Sequence, residues 1–130
     1  MDKLTIAMQN YLETIYEIAV NNNDEHSGVR LSDIAAKLNV SKASVNNAIS
    51  VLVNAGYVKS EKYQDVFLTE NGIETAKLLT NRHEVIKKLF TDVLGVDDET
   101  ANEDACAIEH IISREAIQKI KDFLDKQENQ

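Results

Sequence analysis

Proline is absent from all 130 residues of this chain, and glycine occurs only four times. These two residues interrupt helices most strongly, proline through its missing N–H and ring clash, glycine through its backbone entropy. A chain with so few of them is expected to be mainly α. Its breaks then have to be written by asparagine-rich loops, by capping hydroxyls and by the few glycines it has.

The apolar pattern supports this. Leu4, Met8, Tyr11, Leu12, Ile15, Ile18 and Ala19 recur at helical spacing and predict a helix over residues 4–20. The polar run of residues 21–28 then reads as a surface loop. Ser32 is placed to cap a short helix ending near Leu38, with Ile34, Ala35 and Leu38 inward. Asn39 and Val40 make a turn. Ser41 caps a second helix over residues 42–54, with Val45, Ala48, Ile49 and Leu52 inward and Gly56 at its end. Two short helices joined by a tight turn form a helix-turn-helix. Two strand-like runs follow, residues 57–60 and 66–69, joined by a mostly polar segment that suits a hairpin wing.

Beyond the wing, Thr69 caps a long helix over residues 71–94 whose inner positions include Ala76, Leu79, Ile86, Leu89, Phe90 and Val93. Gly95 stops it. Asp97 or Asp98 caps a helix reaching about Ile112, and Ser113 caps a last one with Ile117, Ile120, Phe123 and Leu124 as its apolar stripe. The expected architecture is an N-terminal winged helix-turn-helix with a small β-hairpin wing over residues 1–70, followed by an all-helical dimerisation domain over residues 71–130. The second part has too little sequence to enclose a core alone, so its apolar stripes predict a homodimer. Pairing also suits a reader of double-stranded DNA, because paired recognition helices match a two-fold operator.

Composition sets limits on function. Hydrophobic residues make up 43% of the chain, enough for a modest core. One cysteine forms no internal disulfide, which suits a reducing compartment. No apolar run reaches the roughly 18 residues needed to span a bilayer, and no signal-peptide core is evident. The expectation is a cytoplasmic protein without a membrane partner. The formal charge of −8 argues against a DNA binder until its distribution is considered. Residues 1–70 hold 6 basic and 9 acidic groups, a net of −3, and residues 71–130 hold 8 and 13, a net of −5. Within residues 41–63, Lys42, Lys59 and Lys62 face only Glu61. A local positive face is compatible with that segment. On the second helix of the reading unit Ser41, Lys42, Ala43, Ser44, Asn46 and Asn47 are the exposed candidates for DNA contact, the asparagines toward adenine edges and the others toward phosphates. Lys62, Tyr63 and Gln64 occupy the wing tip.

The sequence Cys106-Ala107-Ile108-Glu109-His110 places a thiol, a carboxylate and an imidazole three and four apart, on one helical face. Such a set suits divalent iron, cobalt, nickel or zinc. A buried cysteine beside a surface Glu-His pair reads equally well from this segment alone. His83 sits mid-helix, where a lone histidine is more often structural. Asn10 and Glu13 share a face of the first helix, where solvated surface is the simpler reading. His26 lies in the polar loop and receives no role. A catalytic metal is disfavoured because no oxyanion-stabilising glycine loop or substrate pocket accompanies the cluster. The chain is therefore not expected to be an enzyme or to take a small-molecule substrate.

One resemblance draws these residues together. Tyr11-Leu12-Glu13-Thr14-Ile15-Tyr16, Leu31-Ser32-Asp33-Ile34-Ala35, Ser44-Val45, Gly56-Tyr57-Val58, Leu68-Thr69-Glu70-Asn71-Gly72, Arg82-His83 and Cys106-x-x-Glu109-His110-x-x-Ser113 occur in this order. The chain in this resembles the diphtheria-toxin-repressor family of metal-dependent transcriptional regulators, in a short form similar to the manganese transport regulators. The resemblance implies a metal between the first helix and the dimerisation region, with ligands Asn10, Glu13, His83, Cys106, Glu109 and His110. Asn10 departs from the pattern, since manganese-type members carry Asp there and iron-type members Met. Cys106 matches the iron type, whereas Glu13 matches the manganese type. Lys87 and Asn102 stand where an ancillary site of iron-type members has Glu and His. The implied function is a repressor of metal-uptake genes that binds its operator as a dimer when Fe(II) or Mn(II) is bound, with Zn, Co or Ni as further ions taken in vitro. The alternative is a winged-helix regulator whose metal site is degenerate and does not switch.

Overall fold

A computed structural model describes residues 4–61 and 64–129. The element order is α1 Ile6–Asn22, α2 Leu31–Leu38, α3 Lys42–Asn54, β1 Val58–Ser60, β2 Val66–Leu68, α4 Glu70–Lys88, a π-helical turn Leu89–Val93, α5 Asp98–Ile108 and α6 Arg114–Glu128. The described residues separate into two compact units, one running to Lys77 and the other from Leu78.

The first unit is a winged helix-turn-helix. Leu12 and Ile15 of α1, Ile34 of α2, Val45 and Leu52 of α3, and Val58 and Val66 of the hairpin are all buried. Burying an aliphatic side chain of this kind contributes about 1.5–3 kcal/mol. Asn39 makes the turn between α2 and α3 in the left-handed region at φ 54°, with its N–H bonded to the Ala36 carbonyl and that of Val40 to Ala35. Gly56, at φ 84°, closes α3 in the same manner, with Tyr57 N–H bonded to Leu52 and Gly56 N–H to Val53. The wing pairs antiparallel with Lys59 opposite Phe67. A single bridge from Val29 to Val66, bonded in both directions at 2.8 Å, adds a third edge that periodicity gave no hint of.

Side-chain oxygens set most helix starts. Thr5 accepts from Met8 N–H, Ser41 from Ser44, Asp97 from Thr100 and Ser113 from Ala116. Thr69 accepts from Gly72 N–H at 3.0 Å, and its own hydroxyl donates to the Gly56 carbonyl at 2.7 Å, which ties α4 to the end of α3. Hydrogen bonding from Thr100 holds the Asp97 carboxyl below the usual carboxylate range. That cap therefore acts at full strength at neutral pH and weakens as pH falls through the depressed value.

Several sequence expectations need correction. Ser32 is not a cap: α2 begins at Leu31 after Arg30, whose side chain makes no capping bond. The helix expected over 71–94 changes pitch at Leu89. There the Thr91 hydroxyl bonds the Lys87 carbonyl at 3.1 Å, and the wider turn leaves Val93 42% exposed rather than inward. The helix of Cys106 ends at Ile108, four residues short of the expected end. Phe123 of the last stripe is exposed, whereas Ile117 and Leu124 are buried. The core of the second unit is small and consists of Ile86, Ala105 and Ile117, flanked by Leu78, Phe90, Ile108 and Ile112.

Two glycines separate two kinds of cost. A Cβ on Gly72 would stand 2.0 Å from the Tyr57 carbonyl oxygen, whereas one on Gly95, at φ 72°, would meet nothing within 4 Å. Gly72→Ala is expected to lower stability in urea by more than about 3 kcal/mol, because backbone must move. Gly95→Ala should lose only about 1–2 kcal/mol, the strain of the left-handed region. Equal unfolding midpoints for the two variants would refute this.

Candidate functional site

Two surfaces carry the chemistry, one in each unit. In the first, α3 buries Val45, Ala48, Ile49 and Leu52, and this turns Ser41, Lys42, Ala43, Ser44, Asn46 and Asn47 outward, all exposed. Ser41 and Ser44 also bond each other, Oγ to Oγ at 3.0 Å, so both hydroxyls are held at the helix N-terminus. Lys42 and Asn46 line a groove of about 950 Å³ that runs between α3 and the wing and includes Gln64. Asn47 is exposed but is not among the residues lining that groove. Lys62 and Tyr63 lie outside the described residues.

The same groove is lined by Arg30, Ser32 and Ser50, which were not among the expected candidates. Arg30 is an exposed cation just before α2, whose first amides have no side-chain cap. A cation on the rim of this groove is a candidate phosphate contact. Ser50 follows Asn46 by four residues, and that helical spacing alone marks it as a neighbour on the outer face.

The second surface is built from α4, α5 and the turn after α5. His83 lies on α4, Cys106 on α5, Glu109 is the residue that caps the end of α5, and His110 follows in the turn. His83 is the hub. Its Nδ1 stands 3.2 Å from Glu109 Oε2 and 3.8 Å from Cys106 Sγ. Its Nε2 stands 2.9 Å from Asn102 Oδ1. Glu109 Oε1 lies 3.4 Å from His110 Nε2. The other His110 nitrogen, Nδ1, is 3.3 Å from Nη2 of Arg82, a residue only 4% exposed. Glu109 keeps its helical bond to Ala105, so Cys106 and Glu109 retain the expected three-residue face although His110 has left the helix.

This donor set suits a divalent transition ion. Imidazole, thiolate and carboxylate are its usual ligand types. Two donors about 2.0–2.3 Å from one ion stand roughly 3–4 Å apart, the spacing of both His83 pairs. Among the described residues, however, no group of three such side chains is already gathered as an ion-holding cluster. Arg82 stands at His110 Nδ1, so Nε2, 3.4 Å from Glu109 Oε1, is the nitrogen of His110 placed to share an ion with that carboxylate.

Asn10 is exposed and Glu13 half-buried on α1, in the first unit. His26 is exposed, with Nε2 3.3 Å from Glu70, and belongs to the loop ahead of Val29. Lys87 pairs with Asp98 at 3.3 Å. A hollow of about 560 Å³ in the second unit is lined by Lys88, Lys121, Asp125 and Glu128, which pair with one another, and it holds no donor of the His83 group.

Comparison with known proteins identifies both parts of the chain. Residues 3–66 match the iron dependent repressor N-terminal DNA binding domain, and residues 69–130 match the iron dependent repressor metal binding and dimerisation domain. A helix-turn-helix transcriptional regulator of Methanocaldococcus jannaschii is 37% identical over 92% of this chain and 94% of its own length. The regulator MntR of Shouchella clausii is 38% identical over 97% of this chain and 85% of its own. A solved structure from Sulfolobus solfataricus, described as a hypothetical protein, superposes with a TM-score of 0.69 at 29% identity, covering 95% of this chain and 91% of that one. No helix among the described residues is long and apolar enough to cross a membrane. The chain belongs to the iron-dependent repressor family of metal-dependent transcriptional regulators, is similar to its manganese regulators, and acts on DNA rather than as an enzyme.

Proposed function

We propose that this protein is a repressor of metal-uptake genes that binds its operator as a homodimer when Fe(II) or Mn(II) is bound. The observation that carries the reading is the position of His83, whose Nδ1 faces both Glu109 Oε2 at 3.2 Å and Cys106 Sγ at 3.8 Å. His83, Cys106, Glu109 and His110 are the donors of the second unit, and the family resemblance adds Asn10 and Glu13 of α1. A bound ion supplies positive charge to groups that otherwise crowd acidic and lone-pair atoms together. Cys106 is the softest donor and favours Fe(II) over Mn(II). Residues up to the wing form the DNA-binding domain and the helices after it the metal-binding and dimerisation domain.

On DNA, Lys42, Ser41, Ser44 and Arg30 hold phosphates, while Asn46 and Asn47 offer amides to adenine edges. Ala43 is exposed on the same helix, Gln64 lines the groove beside the wing, and the sequence expectation adds Lys62 and Tyr63 to Gln64 as contacts to the backbone or minor groove. A second reading, a regulator that ignores metal, is favoured by the neutral amide at Asn10 and by the Arg82–His110 contact. Calorimetry with several divalent ions separates the two, because that reading requires no heat of binding.

On an operator selected from random duplexes, anaerobic Fe(II) or Mn(II) is expected to tighten binding about 5–150-fold, the usual size of such coupling. Equal affinity with and without metal defeats the proposal. Lys42→Ala should weaken binding to all sequences alike and lower the salt slope by about one unit, whereas Asn47→Ala should cost about 1–3 kcal/mol at one base position. Cys106→Glu should move the preference from Fe(II) toward Mn(II), read as the ratio of the two activation midpoints.

A further inference from the structure

We propose that Asn102 is the positioning residue of the metal centre: its side-chain carbonyl fixes His83 so that Nδ1, and only Nδ1, is offered to the ion. An amide carbonyl only accepts hydrogen bonds, so the 2.9 Å contact between Asn102 Oδ1 and His83 Nε2 is a hydrogen bond in the tautomer that carries its ring hydrogen on Nε2. The nitrogen left to bind a metal is Nδ1, the atom that faces Cys106 Sγ at 3.8 Å and Glu109 Oε2 at 3.2 Å. Asn102 and Cys106 are four apart on α5, so the helix that carries the thiol also carries the group that aims the imidazole at it.

The arrangement has a further effect on stoichiometry. With Nε2 committed to Asn102, His83 serves one ion and cannot bridge to a second. Partners of this kind orient the ligand ring and raise its basicity. Asn102 is itself exposed, so its removal leaves the small core of Ile86, Ala105 and Ile117 untouched.

This inference rests on His83 being a metal ligand, and the test separates the two. The full chain is titrated anaerobically with Co(II) and with Mn(II) in four forms: unaltered, His83→Ala, Asn102→Ala and Asn102→Gln. Asn102→Ala is expected to bind about tenfold more weakly, the lower end of the effect of such partners because this one is exposed, and Asn102→Gln to recover most of the loss. In the Co(II) form, proton NMR should show a shifted His83 ring N–H that persists in the unaltered chain and in Asn102→Gln. It should vanish into solvent exchange in Asn102→Ala. If the unaltered chain binds neither ion, or His83→Ala binds as well as it does, the metal-site reading fails and this inference with it. If the unaltered chain binds but Asn102→Ala matches it in affinity and in the N–H signal, the role of Asn102 alone is overturned.

Discussion

A backbone amide left bare at the start of a helix must find an acceptor, and in this protein that requirement shapes nearly everything else. Without proline to open helices, the chain uses Thr5, Ser41, Thr69, Asp97 and Ser113. Ser113 has the largest consequence for the proposed metal site. Because α6 must start there, the chain has to turn between Ile108 and Ser113, with the Ile111 and Ile112 amides both bonded back to the Ile108 carbonyl. Glu109 is left as the last residue with helical bonding and His110 swings out of line, toward Arg82 on α4. Thr69 does comparable work in the first unit. One hydroxyl accepts from the start of α4 and donates to the end of α3, so the wing is gripped at its base.

Most of the fold was legible because these punctuation marks are local. A capping oxygen, an apolar stripe and a glycine in the left-handed region act within a few residues, and α3 begins and ends where Ser41 and Gly56 place it. What escaped the sequence was decided at longer range. Ser32 has the chemistry of a cap, yet the antiparallel bridge between Val29 and Val66 holds the chain entering α2 extended up to Arg30, and the helix starts one residue before the serine. The pitch change at Leu89 has no signature in apolar spacing, which is why Val93 was expected inward and is not.

The candidate sites divide along the same line. Cys106 and Glu109 sit three apart on one helix, so their company was readable from spacing alone. The arrival of His83 beside them depends on how α4 lies against α5, and only the family resemblance anticipated it. Arg82 and Asn102 were visible as letters but not as contacts. Asn102 is four residues before Cys106, and a reading that extended the helical face backward as well as forward would have found it. On the DNA side the outward face of α3 followed from its inward one, whereas Arg30 entered the groove through the tertiary arrangement of α2 and the wing.

Val93, Leu94, Ile111 and Phe123 leave large apolar side chains on the surface of a single chain, Ile111 being 80% exposed. A lone copy keeps that surface wetted, and a pair that covers it gains the corresponding hydration free energy. Where two copies must meet before the operator is gripped, occupancy follows mass action in the square of protein concentration. The cell's stock of this regulator then becomes a second input beside the proposed metal signal, and a modest change in its synthesis would shift operator occupancy.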